Sequence, residues 1–211
     1  MLIDRSVRDV VAAFSSPDPT PGGGSAAALA SALGTSLLMM VAGLPKTRSG
    51  ADGERAALAE ATPTLVDLRD RLTEAIDEDS AAYDRVVAAY KLPKGSADEQ
   101  QTRKDAIQTA LRGATDVPLT VVRLSAAALS AAGTVAENGH SGAASDIGVA
   151  VALLRAGLHG ARLNVEINLG SVRDEAYTST TRSEVERLAQ HARDASESAE
   201  RWLGPSARGV R

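Results

Sequence analysis

Residues 58–90 read LAEATPTLVDLRDRLTEAIDEDSAAYDRVVAAY, and this stretch decides the fold. It contains a series of residues at steps of three or four, the spacing that places side chains on one face of an α-helix: Leu58, Ala61, Leu65, Leu68, Leu72, Ile76, Asp79, Tyr83, Val86 and Tyr90. Helical periodicity extends over nearly all of the remaining chain, and strand-like alternation does not persist. The sequence therefore predicts an all-α protein, a bundle of long, alanine-rich antiparallel helices.

The composition fits a single globular domain over residues 1–211. A chain of 211 residues lies within the usual size of one domain and buries enough surface to fold without a metal or a disulfide. Aromatic residues make up only 2%, so alanine, valine and leucine must build the core, which favours closely packed helices. The sequence has no cysteine, which excludes disulfides, thiolate metal sites and cysteine nucleophiles.

Charge and hydropathy argue against two classes of partner. The formal net charge is −4, whereas nucleic-acid-binding proteins normally carry a basic patch. The most apolar stretch, residues 25–44, is mostly alanine, glycine and serine, which favours a buried helix over a membrane span. The first residues lack the basic and apolar regions of a secretory leader. We therefore expect a soluble, cytoplasmic protein that binds neither nucleic acid nor membrane.

Prolines, glycines and capping residues divide the chain into segments. We predict helices over residues 6–14, 25–44, 54–90, 96–132, 146–168 and 172–203. Ser25 is expected to cap the second helix, Pro63 to break or restart the third, and Pro118 to kink the fourth. The apolar stripe of the last helix includes Trp202.

Asp79 is the first candidate catalytic residue, because it lies within the apolar stripe of residues 58–90. A carboxylate in such a place costs several kcal/mol to desolvate unless it is paired, hydrogen-bonded or open to a cleft. Two interpretations stay open at this point. Asp79 forms a structural ion pair or helix–helix hydrogen bond, or it is a general acid and base with a raised pKa.

The turn at Gly22, Gly23, Gly24 and Ser25 is the second candidate. It precedes a helix, so free backbone N–H groups and the helix dipole converge there, as in sites for phosphate or carboxylate. A tight turn that lets two helices touch is an equally good explanation. The turn is neither a Walker loop nor a dinucleotide fingerprint, because it lacks the Gly-Lys-Ser/Thr sequence and a preceding strand.

A third set of polar residues lies in the second half of the chain. Asp146 is expected in the first turn of a helix, where capping explains it. Asn164 and Asn168 are four residues apart on an otherwise apolar segment, which indicates amides with specific partners, either the backbone of a neighbouring helix or a polar ligand. The three histidines have no zinc-ligand spacing, and no metal site is expected.

Together, these segments resemble one known family. The matching stretches are PGGGSAAA at 21–28, MVAGL at 40–44, DSAAY at 79–83, KLPK at 91–94, VPL at 117–119, SDIGVA at 145–150 and NVEINL at 164–169. In this order they closely resemble the formiminotetrahydrofolate cyclodeaminase / methenyltetrahydrofolate cyclohydrolase family. The resemblance covers nearly the whole chain. It implies a helical homodimer with a folate site in a cleft between helices.

The resemblance also implies roles for the candidate residues. Asp79 corresponds to the expected catalytic carboxylate, and the glycine turn helps line the site. The helix start after Gly24, with Lys94 or Arg48, is expected to hold the anionic glutamate tail of the folate. The residues expected to position the pterin are Asp146, Asn164 and Asn168.

Two loops depart from the family's pattern. Residues 44–53 read LPKTRSGADG, with no aromatic residue and a rearranged basic pair. Gly139-His140 stands where the family has Gly-Asn. Both loops are expected near the site, where specificity is usually set, so His140 joins the expected substrate-binding residues.

The sequence therefore predicts an enzyme of one-carbon folate metabolism that acts on a tetrahydrofolate derivative without a separate cofactor. The family's two reactions are hydrolysis of 5,10-methenyltetrahydrofolate to 10-formyltetrahydrofolate and cyclisation of 5-formiminotetrahydrofolate with loss of ammonia. A chain without an attached formiminotransferase domain favours the first. The alternative is a non-catalytic, folate-binding or structural helical homodimer that has lost turnover.

Overall fold

The computed structural model describes residues 1–203, which form six α-helices and two short 3₁₀ turns. The helices are α1 (Val7–Phe14), α2 (Gly23–Ala42), α3 (Asp52–Tyr90), α4 (Ala97–Asn138), α5 (Ala144–Leu169) and α6 (Glu175–Arg201), and the turns are Leu2–Asp4 and Ser141–Ala143. Within these residues the β-type pairing is limited to one isolated bridge between Thr47 and Gly139. The predicted all-α fold is confirmed.

The helices form a bundle in which α2 packs on α3 and α5, while α4 packs on α3, α5 and α6. Helices α2 and α5 are antiparallel, because Gly34 contacts Leu154 whereas Gly157, further along α5, contacts Ser31. A Cβ at either glycine would overlap the facing helix, so glycine is needed for this close approach. Small side chains at the contact thus compensate for the scarcity of aromatics in the core.

Helix α3 continues well past the start of α2. Beyond Asp79 it packs on the first half of α4 around a separate small cluster of Ala89, Ile107 and Leu111. The turn between the two helices is exposed and contains Lys94. This part of the molecule is a helical hairpin that extends beyond the N-terminus of α2.

The predicted break at Pro63 does not occur, and the kink predicted at Pro118 stays a prediction. Helix α3 is continuous through Pro63 and α4 through Pro118. Leu58 and Leu65 on either side of Pro63 are fully buried, and Pro118 itself is buried. Core packing along each helix therefore outweighs the loss of one backbone hydrogen bond.

Other boundaries also differ from the prediction. Helix α2 begins at Gly23 with Gly22 as its N-cap, because the Ser25 side chain bonds Asp79 instead of capping the helix. The loop predicted at 133–145 is shorter in the structure, since α4 continues to Asn138 and buries Val135 in the core, and the connection to α5 is limited to residues 139–143. The Ser96 capping box is confirmed. Trp202 lies just after α6 and is 42% exposed.

Three helices are long and apolar enough to cross a membrane by length and composition, namely α2, α4 and the segment Ser141–Leu169. In this fold, 56% of the apolar window in α2 and 61% of that in α4 are buried against other helices. The apolar window of the third segment is 39% buried, so much of that surface faces outward.

Candidate active site

Asp79 lies against the N-terminus of α2. Its Oδ2 accepts a hydrogen bond from the backbone N–H of Ser25 at 2.8 Å and another from Ser25 Oγ at 3.0 Å. Gly24 packs so closely on the same carboxylate that a Cβ there would overlap it. The apolar stripe of α3 and the glycine turn therefore meet at one point, where any side chain in place of Gly24 would displace Asp79.

Asp79 is partly withdrawn from water without a neighbouring cation. Its side chain is half-buried, and it forms no ion pair within residues 1–203. Burial raises the pKa of Asp79 above its ordinary value, while the hydrogen bonds from Ser25 oppose part of this rise. Of the structural interpretations, the ion pair is excluded within the described chain, but the helix–helix hydrogen bond is present. The carboxyl nevertheless takes up a proton more readily than an exposed aspartate does.

The carboxylate of Asp79 itself occupies the predicted anion site at the start of α2. The first hydrogen bond inside α2 runs from Ala26 N–H to the Gly22 carbonyl at 3.1 Å, so the N–H groups of Gly23 and Gly24 precede it. Since the Ser25 N–H binds the Asp79 carboxylate, a folate carboxylate placed here would meet a group of the same charge. The geometry favours Asp79, and not the glutamate tail, as the anion at this helix end.

Asn164 lies beside the glycine turn, whereas Asn168 ties two helices together. The Asn164 amide reaches 3.5 Å from the position that a Cβ on Gly23 would take, and its Nδ2 donates to the Gly160 carbonyl at 2.8 Å. Asn168 Nδ2 donates to the Ala114 carbonyl of α4 at 2.8 Å. Of the two predicted partners, the neighbouring backbone is the one that Asn168 uses.

Three predicted site residues lie far from Asp79 within one chain. Asp146 precedes Asn164 by 18 residues on α5 (164 − 146 = 18), which is about 27 Å along the helix. His140 lies just before α5 at the same end as Asp146, and Lys94 lies beyond the last turn of α3. The residues that the structure does bring together are Gly23, Gly24, Ser25, Asp79 and Asn164.

The sequence profile of the formiminotransferase-cyclodeaminase family matches residues 6–187, which include this glycine turn, the acid and both asparagines. The chain belongs to this family. The family that the sequence predicts is thereby confirmed.

Relatives in the formiminotransferase-cyclodeaminase family carry two different names. Methenyltetrahydrofolate cyclohydrolase of Methylorubrum extorquens is 37% identical over 192 residues, which cover 91% of this chain and 92% of that protein. Formimidoyltransferase-cyclodeaminase of Rattus norvegicus is 33% identical over 91% of this chain, but the match spans only 36% of the rat protein. Formiminotetrahydrofolate cyclodeaminase from Thermotoga maritima has a crystal structure with a TM-score of 0.85 and 25% identity, covering 96% of this chain and 98% of that one.

Two further residues, Ser80 and Tyr83, lie next to the site, although the sequence pattern does not indicate a site role for them. The Ser80 hydroxyl lies 3.4 Å from the Ser25 hydroxyl. Tyr83 follows Asp79 by one helical turn and is 42% exposed, although its spacing predicts a core position. Its position four residues after a candidate acid was the available signal, because such residues share a helix face. Next to Ser80 lies a cavity of ≈ 330 Å³ that Thr20 and Pro21 also line.

A second carboxylate, that of Glu54, lies near the opposite end of the helical bundle and has more hydrogen-bond donors around it than Asp79 has. Glu54 accepts hydrogen bonds from Thr47 Oγ1 at 2.7 Å, from the N–H and Oγ of Ser49, and from the N–H of Gly50. The bonds from Thr47 and Ser49 lower the pKa of Glu54 to about 2. Glu54 therefore stays ionised and shapes the loop at 45–53.

Basic residues surround that loop. Arg48 donates to the Ala136 and Glu137 carbonyls at the end of α4, and its guanidinium lies 5.3 Å from the centre of the Trp202 ring. Arg48 lines a cavity of ≈ 540 Å³ with Lys46, Arg55, His140 and others. His140 Nδ1 accepts the N–H of Gly142 at 3.2 Å, so the neutral ring carries its proton on Nε2. Residues 1–203 contain no cluster of three acids or histidines arranged to hold a metal ion.

Proposed function

We propose that this protein is a methenyltetrahydrofolate cyclohydrolase in which Asp79 is the general acid and base. The observation that carries the proposal is the half-buried, unpaired Asp79 carboxylate at the glycine turn. The Methylorubrum extorquens cyclohydrolase supports the choice of reaction, because the match extends over nearly its whole length.

The charge of the substrate suits this carboxylate. In 5,10-methenyltetrahydrofolate one carbon bridges N5 and N10, and the positive charge is spread over these three atoms. An ionised Asp79 without a cation of its own stabilises that charge when the substrate is bound. The hydrogen bonds from Ser25 hold the carboxylate in a fixed position, so it is oriented before the substrate arrives.

Hydrolysis then needs two proton transfers at the bridging carbon. As the oxygen of a water molecule bonds to this carbon, Asp79 takes a proton from the water. Asp79 next returns that proton to N5 while the carbon–N5 bond breaks. The hydroxyl proton of the adduct leaves to solvent as the formyl C=O forms on N10, and the positive charge of the substrate is lost with it. A positioned acid and base of this kind contributes about 10²–10⁴-fold to the rate.

The second candidate reaction uses the same group. In 5-formiminotetrahydrofolate, N10 attacks the formimino carbon and ammonia leaves, so Asp79 would carry a proton from N10 to the leaving nitrogen. The Thermotoga maritima and Rattus norvegicus relatives favour this reaction by name. The position of Asn164 beside Gly23 supports a contact of its amide with the pterin in either case.

The proposal also covers the oligomeric state, the location and the cofactor requirement of the enzyme. It acts as a cytoplasmic homodimer, takes the folate as its substrate and needs no separate cofactor. The remaining alternative is a helical protein in which the Asp79–Ser25 contact only joins α2 to α3 and turnover has been lost.

Absorbance of 5,10-methenyltetrahydrofolate in the near ultraviolet tests the proposal directly. Protein-dependent decay at neutral pH, above the spontaneous rate in buffer, is the expected result. If only 5-formiminotetrahydrofolate is consumed, with release of ammonia, the second reaction replaces the first. A protein that turns over neither compound would contradict an enzymatic function and favour the structural alternative.

A further inference from the structure

The hydroxyl of Ser80 points away from the backbone of its own helix. Thr62 and Thr73, which are also half-buried on α3, donate to the carbonyl group four residues earlier, as hydroxyls inside helices often do. Ser80 makes no such bond within residues 1–203, and its partner there is the Ser25 hydroxyl at 3.4 Å. The Ser80 hydroxyl therefore has bonding capacity left for another group.

Ser25 connects Ser80 to Asp79. Its side chain is fully buried, and its Oγ donates to Asp79 Oδ2 at 3.0 Å. Asp79 Oδ2, Ser25 Oγ and Ser80 Oγ thus form a chain of three oxygen atoms. A hydroxyl both donates and accepts, so each serine is able to take up a proton on one side and release one on the other. Direct transfer needs oxygens about 2.6–3.2 Å apart, and a small rotation of the Ser80 side chain brings its hydroxyl within that range of Ser25.

The chain of oxygens ends at a polar cavity. Ser80 lines the cavity of ≈ 330 Å³ together with Arg5, Asp18, Asp77 and others. A polar cavity of this size has room for several water molecules at about 30 Å³ each. Its wall is fixed, because the Leu2 N–H donates to Asp77 Oδ1 at 2.6 Å and the Leu2 side chain is buried in the core. The N-terminal turn therefore keeps a water-accessible space beside Ser80.

This cavity and Asn164 lie on different sides of the start of α2. Asn164 adjoins Gly23, whereas the chain of oxygens starts at Ser25. Gly23 and Ser25 are two residues apart in α2, so they point about 200° apart around the helix. Ser80 directly follows Asp79, which turns its side chain by about 100° around α3. A folate that covers Asp79 from the Asn164 side leaves the hydroxyl chain open.

We propose that Ser25 and Ser80 form a relay that carries the product proton from Asp79 to water in this cavity. The proposal rests on the proposed function and deepens it, because it assigns a route to the proton that hydrolysis releases. Ser25 and Ser80 act through Asp79 and do not contact the folate.

The proton balance of hydrolysis requires such a route. The substrate is a cation at the bridging carbon and the formyl product is neutral there, so one proton leaves in each turnover. After Asp79 has returned the first proton to N5, its carboxylate takes the hydroxyl proton of the adduct as the formyl C=O forms. A protonated Asp79 reverses the bond to Ser25, which then accepts from Asp79 and donates to Ser80.

The relay itself transfers three protons in sequence. Asp79 gives its proton to Ser25 Oγ, Ser25 gives its own proton to Ser80 Oγ, and Ser80 gives its own proton to a water molecule in the cavity. Both serines end as neutral hydroxyls and Asp79 ends ionised. Rotation of the two hydroxyls restores the starting orientation. The carboxylate is thereby ready again while the product still covers it.

Rapid mixing tests the relay in a single turnover. Enzyme in excess is mixed with 5,10-methenyltetrahydrofolate in weak buffer at neutral pH, and a pH indicator reports the released proton beside the near-ultraviolet absorbance of the substrate. In wild type the two signals should change in step. In Ser80→Ala the absorbance should fall first and the proton should lag, because Asp79 keeps it until the product leaves.

Steady-state rates give a second measure of the same variant. In Ser80→Ala, kcat should fall by up to about tenfold, less than the about 10²–10⁴-fold expected from loss of the acid itself, while KM stays unchanged. Alanine is the strongest helix former, so the variant should fold, and circular dichroism checks this.

Three further variants separate a relay from a general disturbance. Ser80→Thr keeps a hydroxyl and should restore the simultaneous signals. Ser25→Ala removes the middle hydroxyl and should show the same lag as Ser80→Ala. Thr73→Ala, which removes a half-buried hydroxyl bonded within α3, is the matched control and should behave as wild type.

The possible outcomes distinguish the relay from the proposed function. Simultaneous signals in Ser80→Ala, or an equal lag in Thr73→Ala, would overturn the relay and leave the cyclohydrolase activity of wild type standing. A wild type that turns over neither folate would overturn both proposals. Consumption of 5-formiminotetrahydrofolate alone would also overturn the relay, because that reaction releases ammonia and no product proton has to leave the site.

Discussion

Glu54, at the start of α3, and Asp79, 25 residues further along it (79 − 54 = 25), show how one functional group serves two purposes. Each carboxylate accepts hydrogen bonds from the N–H and the hydroxyl of a serine. Glu54 gains further bonds from Thr47 and Gly50, and these bonds outweigh the effect of burial, so its pKa falls to about 2. For Asp79, burial raises the pKa by more than the two hydrogen bonds from Ser25 lower it, so the pKa rises.

The difference indicates which carboxylate is able to exchange protons. A group with every lone pair satisfied, such as Glu54, holds a loop in place but resists protonation. A group with fewer bonds and less water, such as Asp79, is destabilised in its charged form and is therefore closer to the pKa that acid–base catalysis needs. The fold positions both carboxylates, but only one of them is suited to catalysis.

The largest effect is expected from Asp79→Asn. The amide oxygen still accepts the Ser25 N–H, so the fold should persist while the rate of methenyltetrahydrofolate hydrolysis falls by about 10²–10⁴-fold. Asp70→Asn, an exposed acid paired with Arg69 on the same helix, is the matched control. Equal rates for both variants would contradict catalysis by Asp79.

The same variant tests the raised pKa through stability. Because folding raises the pKa of Asp79, its contribution to stability is present below the pKa of the unfolded chain and is lost as the pH rises through the folded value. The melting temperature of Asp79→Asn relative to wild type should therefore increase from about pH 4 to about pH 7. A difference that does not change with pH would contradict the burial of an ionised Asp79.

Gly24→Ala should damage both the fold and the site. The new Cβ would overlap the Asp79 carboxylate, and forced overpacking of this kind usually costs about 1–3 kcal/mol. Gly113→Ala is the control, because a Cβ there meets nothing within 4 Å and helix propensity favours alanine by up to about 1 kcal/mol. Urea denaturation and the hydrolysis rate measure the two effects, and a fully active Gly24→Ala would refute the close contact.

Ser25→Ala is expected to shift the pH profile more than the fold. It removes the hydroxyl bond, the larger of the two contributions that lower the Asp79 pKa, but keeps the backbone bond. The apparent pKa on the acidic side of the rate profile should rise, with a reduced rate at low pH and recovery at higher pH. Ser36→Ala, whose hydroxyl bonds the Ala32 carbonyl within α2, should leave the profile unchanged.

Glu54→Gln should give the smallest effect, seen as pH-dependent stability. The folded pKa of Glu54 is lowered, so its contribution is present above the unfolded value and disappears as the pH falls toward about 2. Wild type should therefore melt higher than Glu54→Gln near neutral pH and converge with it in acid. The exposed Glu60→Gln on the same helix should show no such convergence.

The sequence was sufficient for the helices and for Asp79, because both follow from periodicity. An acid in an apolar series of residues is detectable without coordinates, and the structure finds it bonded to the predicted glycine turn. Continuity through Pro63 and Pro118 was not detectable, because it depends on core contacts along the whole helix.

The sequence also does not predict how far apart in space two distant segments of the chain lie. Motif resemblance grouped His140 and Asp146 with Asp79, yet the antiparallel course of α2 and α5 separates them within one chain. The pattern predicts a core position for Tyr83, because it does not show that α3 extends beyond the N-terminus of α2. The roles of these residues in binding stay predictions.

The contact between Arg48 and Trp202 gives the loop at 45–53 an optical signal of its own. The protein contains one tryptophan, so fluorescence excited at the red edge of indole absorption originates from this position alone. Circular dichroism, in contrast, averages over all helices. Denaturation curves from the two signals will coincide if both ends unfold together and will separate if the contact at Arg48 opens first. The sequence thus supplies a natural local probe at the end of the bundle opposite Asp79.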